Sequence, residues 1–343
     1  MKPLLNTLFV TTQGAYLARE GLTVAVSVEH ETLARIPIHT LHSIVCFGVV
    51  SCSPFLLQLA SEHNVTVSFC TEHGRFIARM QGPISGNVLL RRAQYRATDD
   101  ATLASGIART VVLAKIANCR TVLLRASRET EIAEHEQQFT AAASRMRRIL
   151  SQTETAPDLD LIRGMEGDAA STYFSAFDPL IVADKENFYF RARSRRPPLD
   201  NVNALLSFLY TLLANDTAAA LDAVGLDPQV GFLHRERPGR PSLALDLMEE
   251  FRPVLADRLA LTLINRRQIT ADGFHTVESG GVTMNDETRK TVLTQWQLRK
   301  QEEIVHPFLQ ERVSFGLVPY IQALLLARYL RGDLDGYPAF FWR

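Results

Sequence analysis

Cysteine is scarce in this chain: among 343 residues only Cys46, Cys52, Cys70 and Cys119 occur, none in CxxC spacing. That excludes a zinc knuckle or a dithiol redox pair and leaves buried free thiols as the simplest account. Net charge is missing too, with 37 basic residues against 37 acidic ones. A uniformly basic nucleic-acid-binding surface is thereby excluded, although a local one is not. No uninterrupted apolar run reaches the ~20 residues that span a bilayer, and Met1–Thr7 holds no signal-peptide core. The expected place of work is the cytoplasm, with no membrane partner. The GxxxxGK loop, the GxGxxG turn after a strand and the GxSxG elbow are absent as well, which removes support for nucleotide hydrolysis and serine-hydrolase chemistry. His39 and His42 lie three apart in a strand-like segment and so on opposite faces, which argues against a zinc pair.

Lysine is the last shortage. Five lysines stand against 32 arginines, and the planar guanidinium suits bidentate phosphate contact. A GC-rich coding genome produces the same bias, so the excess permits a nucleic-acid partner without requiring one.

What is present divides into two unlike parts. From Leu8 to about Arg96 the pattern is one of short β-like runs, such as Leu22–Val26 and Ile44–Phe47, punctuated by turns such as Glu20-Gly21. One helical run interrupts them, with Ser53 placed to cap it and Pro54 in its first turn. After residue 97 the apolar period changes to about 3.6. It predicts helices near 101–126, 129–151, 158–176, 201–214, 216–224, 242–265, 286–303 and 314–331, with one hairpin through Phe274–Met284. The expected fold class is α+β: a small β-rich N-terminal domain over residues 1–96, then a larger all-helical C-terminal catalytic domain over residues 97–343.

The chemistry centres on Arg163-Gly164-Met165-Glu166-Gly167, a carboxylate between two glycines inside a helical pattern. Each interior glycine costs about 1 kcal/mol relative to alanine, so close approach by another body is expected there. Either a neighbouring helix packs into the notch, or a ligand comes within reach of Glu166. Downstream, Gly231-Phe232-Leu233-His234 precedes the helical run Leu243–Pro253, on which Asp246 and Glu249 share a face. Side-by-side acids repel unless positive charge lies near them, and a divalent cation is the natural source. Glu166, His234 and Glu249 would supply two oxygens and an imidazole nitrogen, a set suited to manganese and also to magnesium. A surface histidine and a solvated acidic helix face are the plain alternatives.

The phrases RGMEG at 163–167, GFLH at 231–234 and LALDLMEEFRP at 243–253, with Arg195–Tyr210 before the histidine, resemble the CRISPR-associated integrase-endonucleases of the Cas1 family. The closing Tyr337–Trp342 phrase resembles its type I-C branch. The resemblance implies that Glu166, His234 and Glu249 bind the metal and that Asp246 is a nearby supporting acid, all four being catalytic. It implies insertion of foreign DNA fragments as new spacers, by attack of a 3′ hydroxyl on a repeat phosphodiester, and DNA cleavage when water attacks instead. It implies a homodimer, formed through the β-rich domain, and a complex with the small partner Cas2. The alternative is a non-catalytic scaffold that presents DNA ends to another nuclease.

Double-stranded and branched DNA would need positive surface beyond the metal. Arg191, Arg193, Arg195 and Arg196 form the densest basic cluster, just before Pro197-Pro198, and Arg235 and Arg237 follow His234. Lys115 and Arg125 share a helix face, and Arg91 and Arg92 lie near the domain junction. All are expected as backbone contacts, with ordinary ion pairs as the competing use.

Overall fold

The computed structural model describes residues 6–72, 74, 76–80 and 88–342; the Met1–Leu5 stretch and the terminal Arg343 lie outside them. The first strands are β1 (Thr7–Val10), β2 (Tyr16–Glu20), β3 (Thr23–Val28), β4 (Glu31–Pro37), β5 (Ser43–Phe47) and β6 (Ser51–Cys52). Helix α1 (Pro54–Glu62) follows, then β7 (Thr66–Cys70) and β8 (Phe76–Met80). Ser53 caps α1 as its sequence suggests, its side chain accepting from the Leu56 N–H.

These strands form two four-stranded sheets, ordered β1-β5-β7-β8 and β4-β3-β2-β6. In the first, β1, β5 and β7 are parallel and β8 is antiparallel. In the second, β2 to β4 make an antiparallel meander with β6 parallel to β2. A core of Leu17, Val24, Ile44, Leu56, Leu59 and Val67 fills the space between the sheets and α1. All four cysteines are free thiols.

Helix dominates from Val88 onward: α2 (Val88–Asp99), α3 (Ala101–Glu129), α4 (Ala133–Glu154), α5 (Leu159–Ser175), α6 (Asn201–Val224) and α7 (Ser242–Met248). A π-helical turn at Arg252–Asp257 leads into α8 (Arg258–Asn265), and α9 (Asp286–Gln301) and α10 (Val318–Leu330) complete the set. Two small hairpins sit among them, β9 (Phe274–Thr276) with β10 (Val282–Met284), and β11 (Glu303–Val305) with β12 (Arg312–Ser314). The α+β class and its order along the chain are thus as the periodicity indicates.

Three details differ from the sequence expectation. The strand pattern ends at Met80, and α2 runs across residue 96 because buried Gln94 ties it to the carbonyls of Asp227 and Val230. Helices expected at 201–214 and 216–224 are one helix, α6, whose leucines are wholly enclosed although its length and apolarity match a membrane span. The single helix expected over 242–265 breaks after Met248, since Pro253 removes a backbone donor and collides with the preceding turn. The break matters because Glu249, Glu250 and Arg252 occupy it.

Phe47 of the first sheet packs against Phe208 of α6, their rings tilted with centroids 5.8 Å apart, so the larger core runs from this sheet into the helices. Gln297 of α9 donates to the Thr7 carbonyl at 2.9 Å, closing the same junction.

Candidate functional site

Helix α5 starts at a true cap, Asp158 accepting from the Leu161 N–H at 2.9 Å. Glu166 stands two turns further along. Gly164 and Gly167 flank it in sequence, and a Cβ at either would meet no atom of the described residues within 4 Å beyond its own stretch of helix. Among the described residues no neighbouring helix fills the notch; it is an open strip on α5, the helix that carries Glu166, whose side chain is 29% exposed.

Opposite stands Lys115, in the middle of α3 and 4% exposed. Its ammonium donates to Glu166 and, at 2.7 Å, to Oε2 of Glu249. Glu249 caps the C-terminus of α7, and both its oxygens also accept from Arg252 Nη1, at 2.8 and 2.9 Å. Burial opposes the charge on Glu249, yet Arg252, Lys115 and His234 together outweigh it and hold the carboxyl well below its ordinary range. Burial likewise opposes the charge on Lys115, and Glu249 and Glu166 reverse the balance, raising the ammonium above its usual value. The Arg252 guanidinium lies 4.3 Å over the Tyr210 ring, whose hydroxyl donates to Asp257.

His234 reaches the site from a turn held by a single carboxylate. Asp246 Oδ2 accepts from the backbone N–H groups of Phe232 and Leu233, at 2.6 and 2.9 Å. Its Oδ1 accepts from the His234 N–H and from His234 Nδ1, at 2.9 and 2.7 Å. Gly231 is required here, because a Cβ would come within 2.6 Å of Asp246 Oδ2. With Nδ1 donating to Asp246, Nε2 keeps its lone pair and has no hydrogen-bond partner among the described residues. Arg163 of α5 donates to the Leu233 carbonyl at 2.7 Å, joining the Glu166 helix to the His234 turn.

The back of the site is sealed by the chain's aromatic tail. Buried Glu250 accepts from Tyr337 Oη at 2.7 Å, from the Phe340 N–H at 2.7 Å and from Gln322 at 3.1 Å. Asn118, one turn beyond Lys115, donates to the carbonyls of Glu250 and Phe340 and accepts from the Trp342 N–H. Burial pushes the Glu250 carboxyl up to about 7 against these three donors.

The structure thus brings Glu166 and Glu249 onto one ammonium and seats His234 on Asp246. Among the described residues no group of three histidine, cysteine, aspartate or glutamate side chains is drawn together as a ready cage for a metal ion. Lys115 stands between the two glutamates. A divalent ion, which the sequence resemblance implies, suits this donor set. Two carboxylate oxygens and a free imidazole nitrogen are its ligand types, and the spot between the carboxylates already holds positive charge.

The residues expected to contact DNA divide. Lys115 is a correction, because it is a buried partner of both glutamates and not a surface cation. Arg193 turns inward, donating to Asn203 and Ser207 beside Tyr210. Arg235 pairs with Asp160 at 3.2 Å and Arg125 with Glu129 at 2.7 Å, both exposed. Arg191 covers the Tyr189 ring at 5.1 Å, and Arg91 and Arg92 lie on α2. Arg195, Arg196 and Arg237 are exposed and form no ion pair among the described residues. With Arg240 they crowd one loop region beside Asp246, and burial together with these neighbours lowers the Arg240 guanidinium. Sequence reasoning passed over Arg163, Arg252 and Glu250. A charged residue inside a buried run, Arg252 between Phe251 and Pro253, was the available signal.

Known proteins share this arrangement of sheets and helices. A sequence model described as "CRISPR associated protein Cas1" matches residues 8–298. A Chlorobaculum tepidum protein named "CRISPR-associated endonuclease Cas1 1" is 54% identical over 343 residues, the whole of both chains. The structure of a Cas1 protein from Thermotoga maritima superposes with a TM-score of 0.82 at 25% identity, covering 98% of this chain and 99% of that one. Two others share the fold alone. A chain of a Cas6-RT-Cas1–Cas2 complex matches at TM-score 0.83 and 23% identity, over 98% of this chain and 36% of that one. A casposase bound to integration product matches at 0.82 and 22%, over 96% and 92%. The sequence match and the fold define a CRISPR-associated protein of two unlike parts, one rich in strands and one mostly helical. The chain belongs to the Cas1 family.

Proposed function

We propose that this chain is a metal-dependent DNA endonuclease and integrase that joins foreign DNA fragments into a CRISPR array. The observation that carries the reading is the meeting of Glu166 and Glu249, from separate helical elements, at one cation beside an imidazole with a free nitrogen. Glu166, Glu249 and His234 Nε2 would hold manganese or magnesium, which when bound polarises a phosphodiester and stabilises a leaving 3′ oxygen. Asp246 fixes the tautomer and direction of His234, and Arg252 keeps Glu249 ionised and in place. The open strip at Gly164 and Gly167 leaves room for a sugar–phosphate backbone against α5, and Arg195, Arg196 and Arg237 supply phosphate contacts nearby. A 3′ hydroxyl of the incoming fragment, aligned by those contacts, attacks in line; water in its place gives cleavage.

The casposase with its integration product and the Cas1–Cas2 assembly share this fold and favour the same partners here: duplex and branched DNA, and Cas2. We assign the protein to the cytoplasm and, on the Tyr337–Trp342 tail, to the type I-C branch. A homodimer through the β-rich part, residues 1–96, is supported by exposed Leu33, Phe76 and Ile77 on its strands. The deciding experiment is Glu166→Ala with manganese present. The variant should bind branched DNA as the wild type does while nicking and joining none of it. Unchanged joining would leave only the scaffold role.

A further inference from the structure

One charged group in the site has no part in that chemistry. Lys115 rises among Val111, Val112 and Cys119 in the buried stripe of α3, and its ammonium pairs with both carboxylates given above to a divalent ion. Two carboxylates from different elements converge on one point only if positive charge is there, since each would otherwise be buried beside a like charge. An ammonium and a metal ion cannot share that point.

We propose that Lys115 is the tethered counter-ion of the metal-free site. It holds Glu166 and Glu249 in register until a divalent ion enters, and it gives up its place to that ion. Lysine release and metal loading are then one exchange, an inference that rests on the metal-dependent reading above. The two cations on Glu249 are unlike in a way that fits this division. Arg252 takes both oxygens of Glu249 and lies against the Tyr210 ring, so it stays. Lys115 carries a compact charge on a flexible four-carbon stem and can withdraw without moving α3. Glu166 is the more exposed of its two partners, so the ion has a way in from that side.

The test uses the purified full-length protein without DNA. Manganese is titrated calorimetrically into the wild type, Lys115→Met and Lys115→Gln, and each is melted with and without the ion. Without metal, both variants should melt below the wild type, their carboxylates left facing each other. Manganese should bind them about tenfold more tightly or better, there being no ammonium to displace, and should raise their Tm by more. Equal or weaker affinity in the variants, with wild-type binding intact, overturns the exchange and leaves the metal-dependent reading standing. Failure of all three proteins to bind manganese overturns both. Should the variants not fold, a manganese-soaked wild-type crystal decides. The exchange requires Lys115 Nζ out of hydrogen-bond reach of Glu166 when the ion is present, and a lysine still seated on both carboxylates refutes it.

Discussion

Replacing Asp246 by asparagine exchanges one oxygen for an NH2 group and should disable the His234 turn. The wild-type carboxylate accepts four N–H donors, two on each oxygen, at 2.6 to 2.9 Å. An asparagine offers one oxygen and one NH2. With the amide oxygen on His234, the Phe232 and Leu233 N–H groups both lose their partner; with it on that pair, the His234 backbone N–H loses its partner, in a site where the carboxylate is 2% exposed. Each unpaired buried donor costs about 1–3 kcal/mol, so Asp246→Asn should lose about 1–3 kcal/mol of stability in the less costly orientation. With the amide oxygen on the Phe232 and Leu233 pair, the NH2 faces His234. Nδ1 must then accept, the proton moves to Nε2, and the lone pair offered to a metal is gone. Manganese affinity should fall about 10–100-fold, the usual cost of losing a group that orients a ligating histidine. Urea unfolding measures the first effect, calorimetry the second, and the 15N chemical shifts of the His234 ring read the tautomer. A variant within about 0.5 kcal/mol of wild type whose Nδ1 is still protonated would refute the account.

Other residues give sharp expectations. Glu250 titrates near 7 in the folded chain against an ordinary 4.5, so the folded state holds its proton longer. The contribution is full below the ordinary value and lost as pH rises through the folded one, about 3 kcal/mol in all. Glu250→Gln should flatten the stability curve between about pH 5 and about pH 8, and an undiminished slope would exclude the group as its source. Alanine at Gly164 and Gly167 enters open space, so α5 should gain about 1 kcal/mol per site in thermal melts. Joining of branched DNA should fall at the same time; a stabilised variant that joins normally removes the strip from the DNA path. Alanine at Arg195, Arg196 and Arg237 together should reduce the log–log salt slope of DNA affinity by about 2.7, read by anisotropy. An unaltered slope would show that none of the three meets a phosphate.

Much of this was legible in the chain itself. The shift from period 2 to a helical period separated sheets from helices, serine and proline marked the start of α1, and glycine marked the β9–β10 turn. Less visible was the use made of charge. Lys115 looks like a surface residue until Val111, Val112 and Cys119 are seen one turn either way; a lysine within a buried stripe demands carboxylates, and sequence cannot say which. The glycines beside Glu166 announced an approach without revealing whether the chain or something outside it comes near. The partners of Arg193 depend on how the loop after Phe190 folds over α6, a long-range matter that no local spacing encodes.

The distances along the chain carry a last consequence. Lys115 and Glu166 are 51 residues apart, and Asn118 and Phe340 are 222 apart, yet both contacts belong to one cluster. Such a centre cannot be lent out as a cassette. Any excised piece that omits either α3 or the aromatic tail forfeits a wall of it, so grafts and minimal versions must keep the chain from Ala101, where α3 begins, to Trp342 in one length.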